Sequence, residues 1–163
     1  MSVVFLDIET DPGRKPIVIG ILGVFLCEQL VAPDIRSELI LTWLPEGARI
    51  VTFNGGSFDL PILCREYGLE VKRRLRSMEH IDLLPVARRA GLAGQLRATE
   101  VRIGFRAHKR EEGHVHARWR AWIEHGDRGS LDGILTHNRE DLEGTAALYR
   151  RLLALGHIAP RFG

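Results

Sequence analysis

The segment VVFLDIETD, residues 3–11, combines the composition of a buried β-strand with closely spaced acidic residues. Side chains alternate between the two faces of a strand, so Asp7 and Glu9 point to the same side as Phe5. Two neighbouring carboxylates on a largely apolar strand repel each other and lose hydration, and a buried charge needs a partner. The segment therefore predicts a strand whose end carries a site for cations.

Length and composition predict one domain covering residues 1–163, because 163 residues with 45% hydrophobic content can bury one core. No apolar run approaches the ~20 residues that span a bilayer. The N-terminus has no basic segment followed by an apolar run, as a secretory signal would. Cys27 and Cys64 lie in apolar surroundings and are predicted to be buried free thiols. We therefore expect a cytoplasmic protein.

The charge distribution is uneven along the chain. Residues 72–110 contain 11 Lys or Arg against 3 Asp or Glu, whereas the remainder contains 12 against 18. Such a basic stretch in an otherwise acidic chain suggests a surface for a polyanion, separate from an acidic centre. A solvated, arginine-rich helix face is the alternative interpretation.

Four segments of the first third have the composition of strands, namely residues 2–9, 17–26, 28–32 and 48–54. Asp34 is expected to cap a helix over residues 34–44. A Gly-Gly pair ends the fourth strand, and Ser57 is then expected to cap a helix over residues 58–67. Further helices are predicted over residues 80–91, 95–103, 114–125 and 130–155. Strands followed by helices predict an α/β fold with a mixed central sheet flanked by helices.

Apolar residues recur at helical spacing in the last two of these helices. In residues 114–125 this pattern predicts that Trp119, Trp122 and Ile123 pack into the core. In residues 130–155 the predicted buried stripe contains Leu131, Ile134, Leu135, Leu142, Tyr149 and Leu152.

Two further segments place acidic residues within predicted helices. In FNGGSFDLPIL, residues 53–63, Asp59 lies in the first turn of a helix, where a carboxylate is favourable with the helix dipole. In THNREDLEGTAAL, residues 136–148, Asp141 lies inside the last helix and could be an ordinary exposed residue. The pair on the first strand has no such explanation. Divalent ions such as Mg²⁺, which prefer carboxylate and water oxygens, would neutralise it.

Taken in order, three short motifs resemble those of a known nuclease superfamily. They are Asp7-Ile8-Glu9 on the first strand, Asn54 to Phe58-Asp59 after a later strand, and His137 to Asp141 in the last helix. They look like the exonuclease motifs of the DEDD superfamily, the DnaQ-like 3′–5′ exonucleases with a ribonuclease-H-like fold. The second half, with IDLLPVARR, WRAWIEHGD and ILTHNREDLEGTAAL, is most similar to the bacterial YprB-like branch of predicted exonucleases.

The resemblance implies a ribonuclease-H-like α/β domain that hydrolyses phosphodiester bonds at the 3′ end of single-stranded DNA or RNA. It implies that two Mg²⁺ or Mn²⁺ ions are bound by Asp7, Glu9, Asp59 and Asp141, and that hydrolysis follows a two-metal-ion mechanism. Asn54 matches the asparagine that lies near the terminal nucleotide in this family, and Phe58 is a candidate contact for a base. Aromatic residues form only 7% of the chain, which argues against an extended platform for base stacking.

His137 departs from the pattern of the superfamily. The family has a general base before the last aspartate, either a tyrosine four residues earlier or a histidine five residues earlier. Here a histidine stands four residues before Asp141. Residues at i and i+4 share a helix face, and an imidazole suits proton abstraction near neutral pH, so His137 is predicted to be the base. A partly exposed histidine without a catalytic role is the alternative.

Two other functions stay open at the level of sequence. The displaced histidine also fits a non-catalytic nucleic-acid-binding module that keeps the ribonuclease-H-like fold. Endonucleolytic cutting in the manner of ribonuclease H would use the same acidic residues. Fold analogy alone does not choose among these functions.

Overall fold

The computed structural model describes residues 2–24, 26–92, 94–105 and 114–160. Within them, five strands form one sheet: β1 Val3–Thr10, β2 Pro16–Leu22, β3 Cys27–Val31, β4 Arg49–Thr52 and β5 Glu79–Asp82. Their order across the sheet is β3-β2-β1-β4-β5. Strands β1, β2 and β3 pair in antiparallel fashion, whereas β4 runs parallel to β1 and β5 runs parallel to β4. The sheet is therefore mixed, with β1 at its centre.

Helices cover both faces of this sheet. The described residues contain α1 Ser37–Trp43, α2 Asp59–Glu66, α3 Gly68–Ser77, α4 Leu83–Arg89, α5 Leu96–Arg102, α6 Val115–His125 and α7 Arg128–Ala154. One apolar cluster joins the sheet to α1, α2 and α3 through Ile40, Leu63 and Val71. A second cluster joins the opposite face to α4 and α7 through Leu83 and Leu142. The predicted α/β architecture, a mixed sheet flanked by helices, is confirmed.

Alternation along β1 decides which helices its acidic residues meet. Val4, Leu6 and Ile8 belong to the cluster under α1, α2 and α3. Phe5 belongs to the cluster under α4 and α7. Because side chains alternate, Asp7 and Glu9 continue the Phe5 side and face α7.

Gly20 allows α7 to lie close to the sheet. It pairs with Asp7 across the ladder between β1 and β2. A Cβ atom at this position would lie 2.0 Å from Asn138 Oδ1 and 2.8 Å from Leu142 Cδ1, both on α7. A glycine within a strand often marks such a close approach. The interior glycine of IVIGIL is therefore a packing requirement of the helix that carries Asp141.

The capping prediction at Ser57 is wrong. α2 begins at Asp59, and no side chain caps it. The Leu60 N–H donates instead to the Gly55 carbonyl at 2.9 Å, and Pro61 has no N–H. The two N–H groups that a side-chain cap normally satisfies are therefore not available.

The capping prediction at Asp34 is also wrong. α1 begins at Ser37, and the residue before it makes no side-chain capping bond. Asp34 belongs instead to the turn after β3, where its N–H donates to the Val31 carbonyl at 3.0 Å.

The region around residues 68–91 differs most from the sequence prediction. The predicted helix over 80–91 is wrong in its first part, because β5 occupies Glu79–Asp82 and α4 follows from Leu83. α3 was not predicted. The segment EHID has three polar residues in four, so it shows no apolar pattern, and partner strand β4 decides its conformation. Five charged residues in α3 likewise leave only Val71 and Leu75 buried.

Several side chains predicted to be buried are more exposed. Cys27 is exposed because it lies on edge strand β3, and Cys64 is half-buried. Ile123 is 60% exposed, because α6 lies on the surface. Trp119 is half-buried and packs against the small cluster of Ile17, Val18 and Ile134. Among the described residues, no helix combines the length and apolarity needed to cross a membrane.

Candidate active site

Three predicted site residues converge where β1 ends beside α7. Nε2 of His137 lies 3.7 Å from Oε1 of Glu9 and 3.6 Å from Oδ2 of Asp141. One ligand atom from each of the three lies within 4.8 Å of the others. His137 and Asp141 meet because they are four residues apart on α7. The group is partly buried, with side-chain exposures of 13% for Glu9, 17% for Asp141 and 37% for His137.

Asp7 belongs to the same site and is half-buried. Burial raises the pKa of its carboxyl well above the usual value, and repulsion from Glu9, Asp59 and Asp141 raises it further. A hydrogen bond from Asn138 acts in the opposite direction. The direction of this shift reflects the loss of hydration at Asp7 and the negative charge of three neighbouring carboxylates.

Asn138 fixes the orientation of Asp7, and no sequence motif predicted this role. Its Nδ2 donates to Asp7 Oδ2 at 2.7 Å and to the Asp7 carbonyl at 3.2 Å. Gln29 on β3 donates from Nε2 to Asn138 Oδ1 at 2.8 Å and to the Leu135 carbonyl at 2.7 Å. Asn138 is fully buried. Only two sequence features could have indicated Asn138: it follows His137, and the glycine at position 20 allows a helix to lie close to the sheet.

Asp59 is the first residue of α2 and is only 4% exposed. Burial raises its pKa from 3.8 to about 7, and repulsion from Asp82 and Asp141 adds to the rise. Hydrogen bonds from the backbone N–H groups of Asp59 and Ile8 lower it in part. Within the described residues, the buried Oδ1 of Asp59 has no hydrogen-bond partner. A buried acceptor left in this state fits a cation ligand.

Asp82 holds the turn that leads into α2. Its Oδ1 accepts from the N–H groups of Asn54 at 2.8 Å and Leu84 at 3.0 Å, and its Oδ2 accepts from the Gly56 N–H at 3.0 Å. One carboxylate thus caps α4 and ties down the turn before Asp59. Asn54 is exposed and has a φ of 66°, in the left-handed region that asparagine tolerates better than most residues.

A second link holds the same turn on its inner side. Thr52 is fully buried, its Oγ1 accepts from the Gly55 N–H at 3.2 Å, and it pairs with His80 Nε2 at 2.9 Å. Burial lowers the pKa of His80, which favours its neutral form. Phe58, the other predicted substrate contact, is half-buried directly before α2. The turn therefore presents Asn54 and Phe58 beside Asp59.

The donor set fits divalent cations. Carboxylates are the ligands that Mg²⁺ and Mn²⁺ prefer, and a histidine nitrogen is compatible with Mn²⁺. A bound cation would give the buried Oδ1 of Asp59 a partner. Its positive charge would also lower the raised pKa values of Asp7 and Asp59. The sequence predicts His137 only as a base, whereas the geometry also puts it among the candidate ligands.

Part of the basic stretch serves the fold. Arg74 on α3 donates to the Leu41 and Leu44 carbonyls at the end of α1 and forms an ion pair with Glu46 at 3.3 Å. This arginine therefore caps a helix rather than facing a polyanion. Other members of the stretch, Arg106, Lys109 and Arg110, lie outside the described residues.

Comparison with known proteins gives a family and a fold. The sequence matches the RNase_H superfamily over residues 4–153. The fold is similar to that of a family B DNA polymerase from the hyperthermophilic archaeon Pyrobaculum calidifontis, with a TM-score of 0.69 and 16% sequence identity. That similarity covers 94% of this chain but only 24% of the polymerase chain. A search of curated proteins found no match.

Proposed function

Because the chain belongs to the RNase_H superfamily, we propose that it is a nuclease, and more specifically a metal-dependent 3′–5′ exonuclease of the DEDD type. We assign it to the YprB-like branch and take residues 1–163 as a single domain. The observation that carries the proposal is the convergence of Glu9, His137 and Asp141 beside the half-buried Asp7 and the buried Asp59. A fold similar to that of a DNA polymerase is consistent with a nucleic-acid substrate.

Asp7, Glu9, Asp59 and Asp141 would hold two divalent ions, Mg²⁺ or Mn²⁺. When bound, these ions supply Lewis-acid activation of water and stabilise charge on the leaving oxygen of the phosphodiester. The chain itself orients the ligands. Asn138 fixes the Asp7 carboxylate, and the start of α2 fixes Asp59.

His137 would accept the proton of the attacking water at Nε2. That atom lies 3.7 Å from Glu9 Oε1 and 3.6 Å from Asp141 Oδ2, so both carboxylates are close to the ring. They would also balance the positive charge that the imidazole gains. A base must lie within reach of the proton that it removes, and the side chain is open enough, at 37% exposure, to meet water.

The substrate would enter beside the turn that Asp82 holds. Asn54 is exposed there and Phe58 is half-buried, so both can contact the terminal nucleotide. The described site has no long row of aromatic side chains, which favours a short single-stranded 3′ end over an extended strand stacked along its bases.

A product ladder tests the proposal. Purified protein is incubated with 5′-labelled single-stranded DNA and RNA in Mg²⁺ or Mn²⁺, with EDTA and the Asp7→Asn protein as controls. We expect metal-dependent shortening from the 3′ end that is absent in both controls. Internal fragments would instead identify an endonuclease. Binding of either strand without cleavage would identify a non-catalytic module.

A further inference from the structure

The turn between β1 and β2, residues 11–15, forms a closed hairpin tip. Thr10 pairs with Pro16 at its base. The Asp11 N–H donates to the Lys15 carbonyl at 2.9 Å, and the Arg14 N–H donates to the Asp11 carbonyl at 3.0 Å. The Lys15 N–H donates to Asp11 Oδ1 at 2.8 Å. The backbone of the hairpin tip is therefore well defined.

Arg14 adopts an unusual backbone conformation in this tip. Its φ is 61°, in the left-handed region that favours glycine. Nη2 of Arg65 on α2 donates to the Arg14 carbonyl at 2.8 Å and holds the tip against that helix. An arginine maintained in a conformation better suited to glycine points to a use for its side chain.

The hairpin tip carries two available cations. Arg14 and Lys15 are exposed, and within the ranges that the structure describes neither side chain forms an ion pair. The tip continues directly from the end of β1 that bears Glu9, so it lies at the same end of the sheet as the acidic site. Four carboxylates there repel a phosphate backbone, which must be held by cations nearby.

We propose that the hairpin tip is a phosphate-binding surface for the substrate strand, with Arg14 and Lys15 contacting its backbone. This inference rests on the proposed function in one respect, that the partner is a nucleic-acid strand. The basic stretch at residues 72–110 was predicted to bind a polyanion, but its Arg74 is engaged within the fold. The hairpin tip takes over part of that predicted role. Contacts to phosphate would position the strand without reading its sequence.

Binding is tested in the Asp7→Asn background, so that hydrolysis does not interfere. A fluorescent single-stranded oligonucleotide is titrated with protein at salt concentrations from about 50 to 200 mM. The test variant combines Arg14→Gly and Lys15→Met. Glycine suits a φ of 61°, so thermal unfolding should be unchanged, which separates binding from folding.

The matched control combines Arg150→Gln and Arg151→Gln, which changes the net charge equally. Both residues are exposed on α7 beside Tyr149, whose hydroxyl accepts from Arg49 at the start of β4, the end of the sheet away from Glu9. We expect the hairpin variant to bind on the order of tenfold more weakly at about 50 mM salt, with a salt slope reduced by about 1.4. The control variant should keep most of the binding affinity and most of the salt slope.

Equal losses in the two variants would reduce the effect to net charge and overturn the inference, as would unchanged binding in the hairpin variant. Hydrolysis by the otherwise wild-type protein is measured separately. If it shows no activity but the hairpin variant still loses binding, the proposed chemistry fails and the phosphate-binding surface stands. If the protein is active and the hairpin variant binds the oligonucleotide as well as its parent, the proposed chemistry stands and the phosphate-binding surface fails.

Discussion

At the scale of single residues, His137 has two possible roles in one position. It stands at the spacing where the DEDD nucleases that the motifs resemble carry a tyrosine, and its Nε2 lies near both Glu9 and Asp141. As a base it must reach a proton on water, whereas as a ligand it must reach a cation. The two roles differ in what its loss changes, because a ligand affects the metal concentration required and a base affects the chemical step.

Replacement of His137 is the first prediction. His137→Ala should lower kcat about 10²- to 10⁴-fold, the usual contribution of a general base. The Mn²⁺ concentration that gives half-maximal activity should stay the same, because four carboxylates remain. His137→Tyr should recover part of the rate, since it introduces a tyrosine at the spacing found in the DEDD nucleases that the sequence motifs resemble. These values come from steady-state kinetics in a metal titration. A large rise in the metal requirement of His137→Ala, with kcat restored at saturation, would identify a ligand instead.

Most of the site was predictable from sequence, and its supports were not. Asp7 and Glu9 stand out because a buried strand rarely carries two carboxylates. Asn138 and Gln29 gave no comparable signal, since a buried amide is recognised only when its partners are known. These contacts join residues more than 100 positions apart in the chain.

At the scale of elements, prediction succeeded where apolar periodicity was strong. The first four strands and α7 follow from runs such as IVIGIL and from the buried stripe that includes Leu142. β5 could not be recognised, because its four residues gain their conformation from pairing with β4. Helix starts were also misplaced, since the Leu60 N–H finds a backbone acceptor that no local pattern reveals.

The contact of α7 with β2 gives the second prediction. Gly20→Ala should lower the free energy of unfolding by about 1–3 kcal/mol or more, because the added methyl overlaps Asn138 and Leu142. Gly23→Ala is the matched control, since its nearest neighbours lie 3.9 Å away and its loss should be within about 0.5 kcal/mol. Urea unfolding monitored by circular dichroism measures both. Equal stability of the two variants would contradict the close approach of α7.

The two functions of Asp82 give the third prediction. Asp82→Ser keeps an acceptor for the Leu84 N–H at the start of α4, but serine is too short to reach Asn54 and Gly56. We expect a rise in KM on the order of tenfold, because the turn carries Asn54, the proposed contact of the terminal nucleotide. A misplacement of about 1 Å near a site can change rates 100-fold. Asp127→Ser, which alters the cap of α7 at Gly129, is the control. Asp127→Ser should change stability little, because serine caps a helix about as well as aspartate. Asp82→Ser should lose about 1 kcal/mol, because the bonds to Asn54 and Gly56 are lost. If KM changes no more in Asp82→Ser than in the control, Asp82 only caps a helix.

At the scale of the whole molecule, the acidic site opposes folding when no cation is bound. Asp7 is half-buried and Asp59 is buried, and their pKa values are raised mainly by loss of hydration. A carboxyl whose pKa is higher in the folded state favours folding when it is protonated. The contribution is fully present below the unfolded pKa near 4 and is lost as pH rises through the folded pKa, about 7 for Asp59. The site therefore opposes folding more at neutral pH than in acid, and bound positive charge would offset this contribution.

The fourth prediction follows for the metal-free protein in EDTA. The unfolding free energy of the wild type relative to Asp59→Asn should fall between about pH 4 and pH 8. In this range only the wild type gains a buried charge at position 59. Asparagine keeps the shape and an acceptor oxygen but does not ionise. Adding Mg²⁺ or Mn²⁺ at pH 8 should raise the melting temperature of the wild type more than that of the variant, since ions that bind the folded state stabilise it. Calorimetry across this pH range measures both effects. Parallel pH profiles for the two proteins, with equal responses to metal, would show that Asp59 neither carries the raised pKa nor contributes to a cation site.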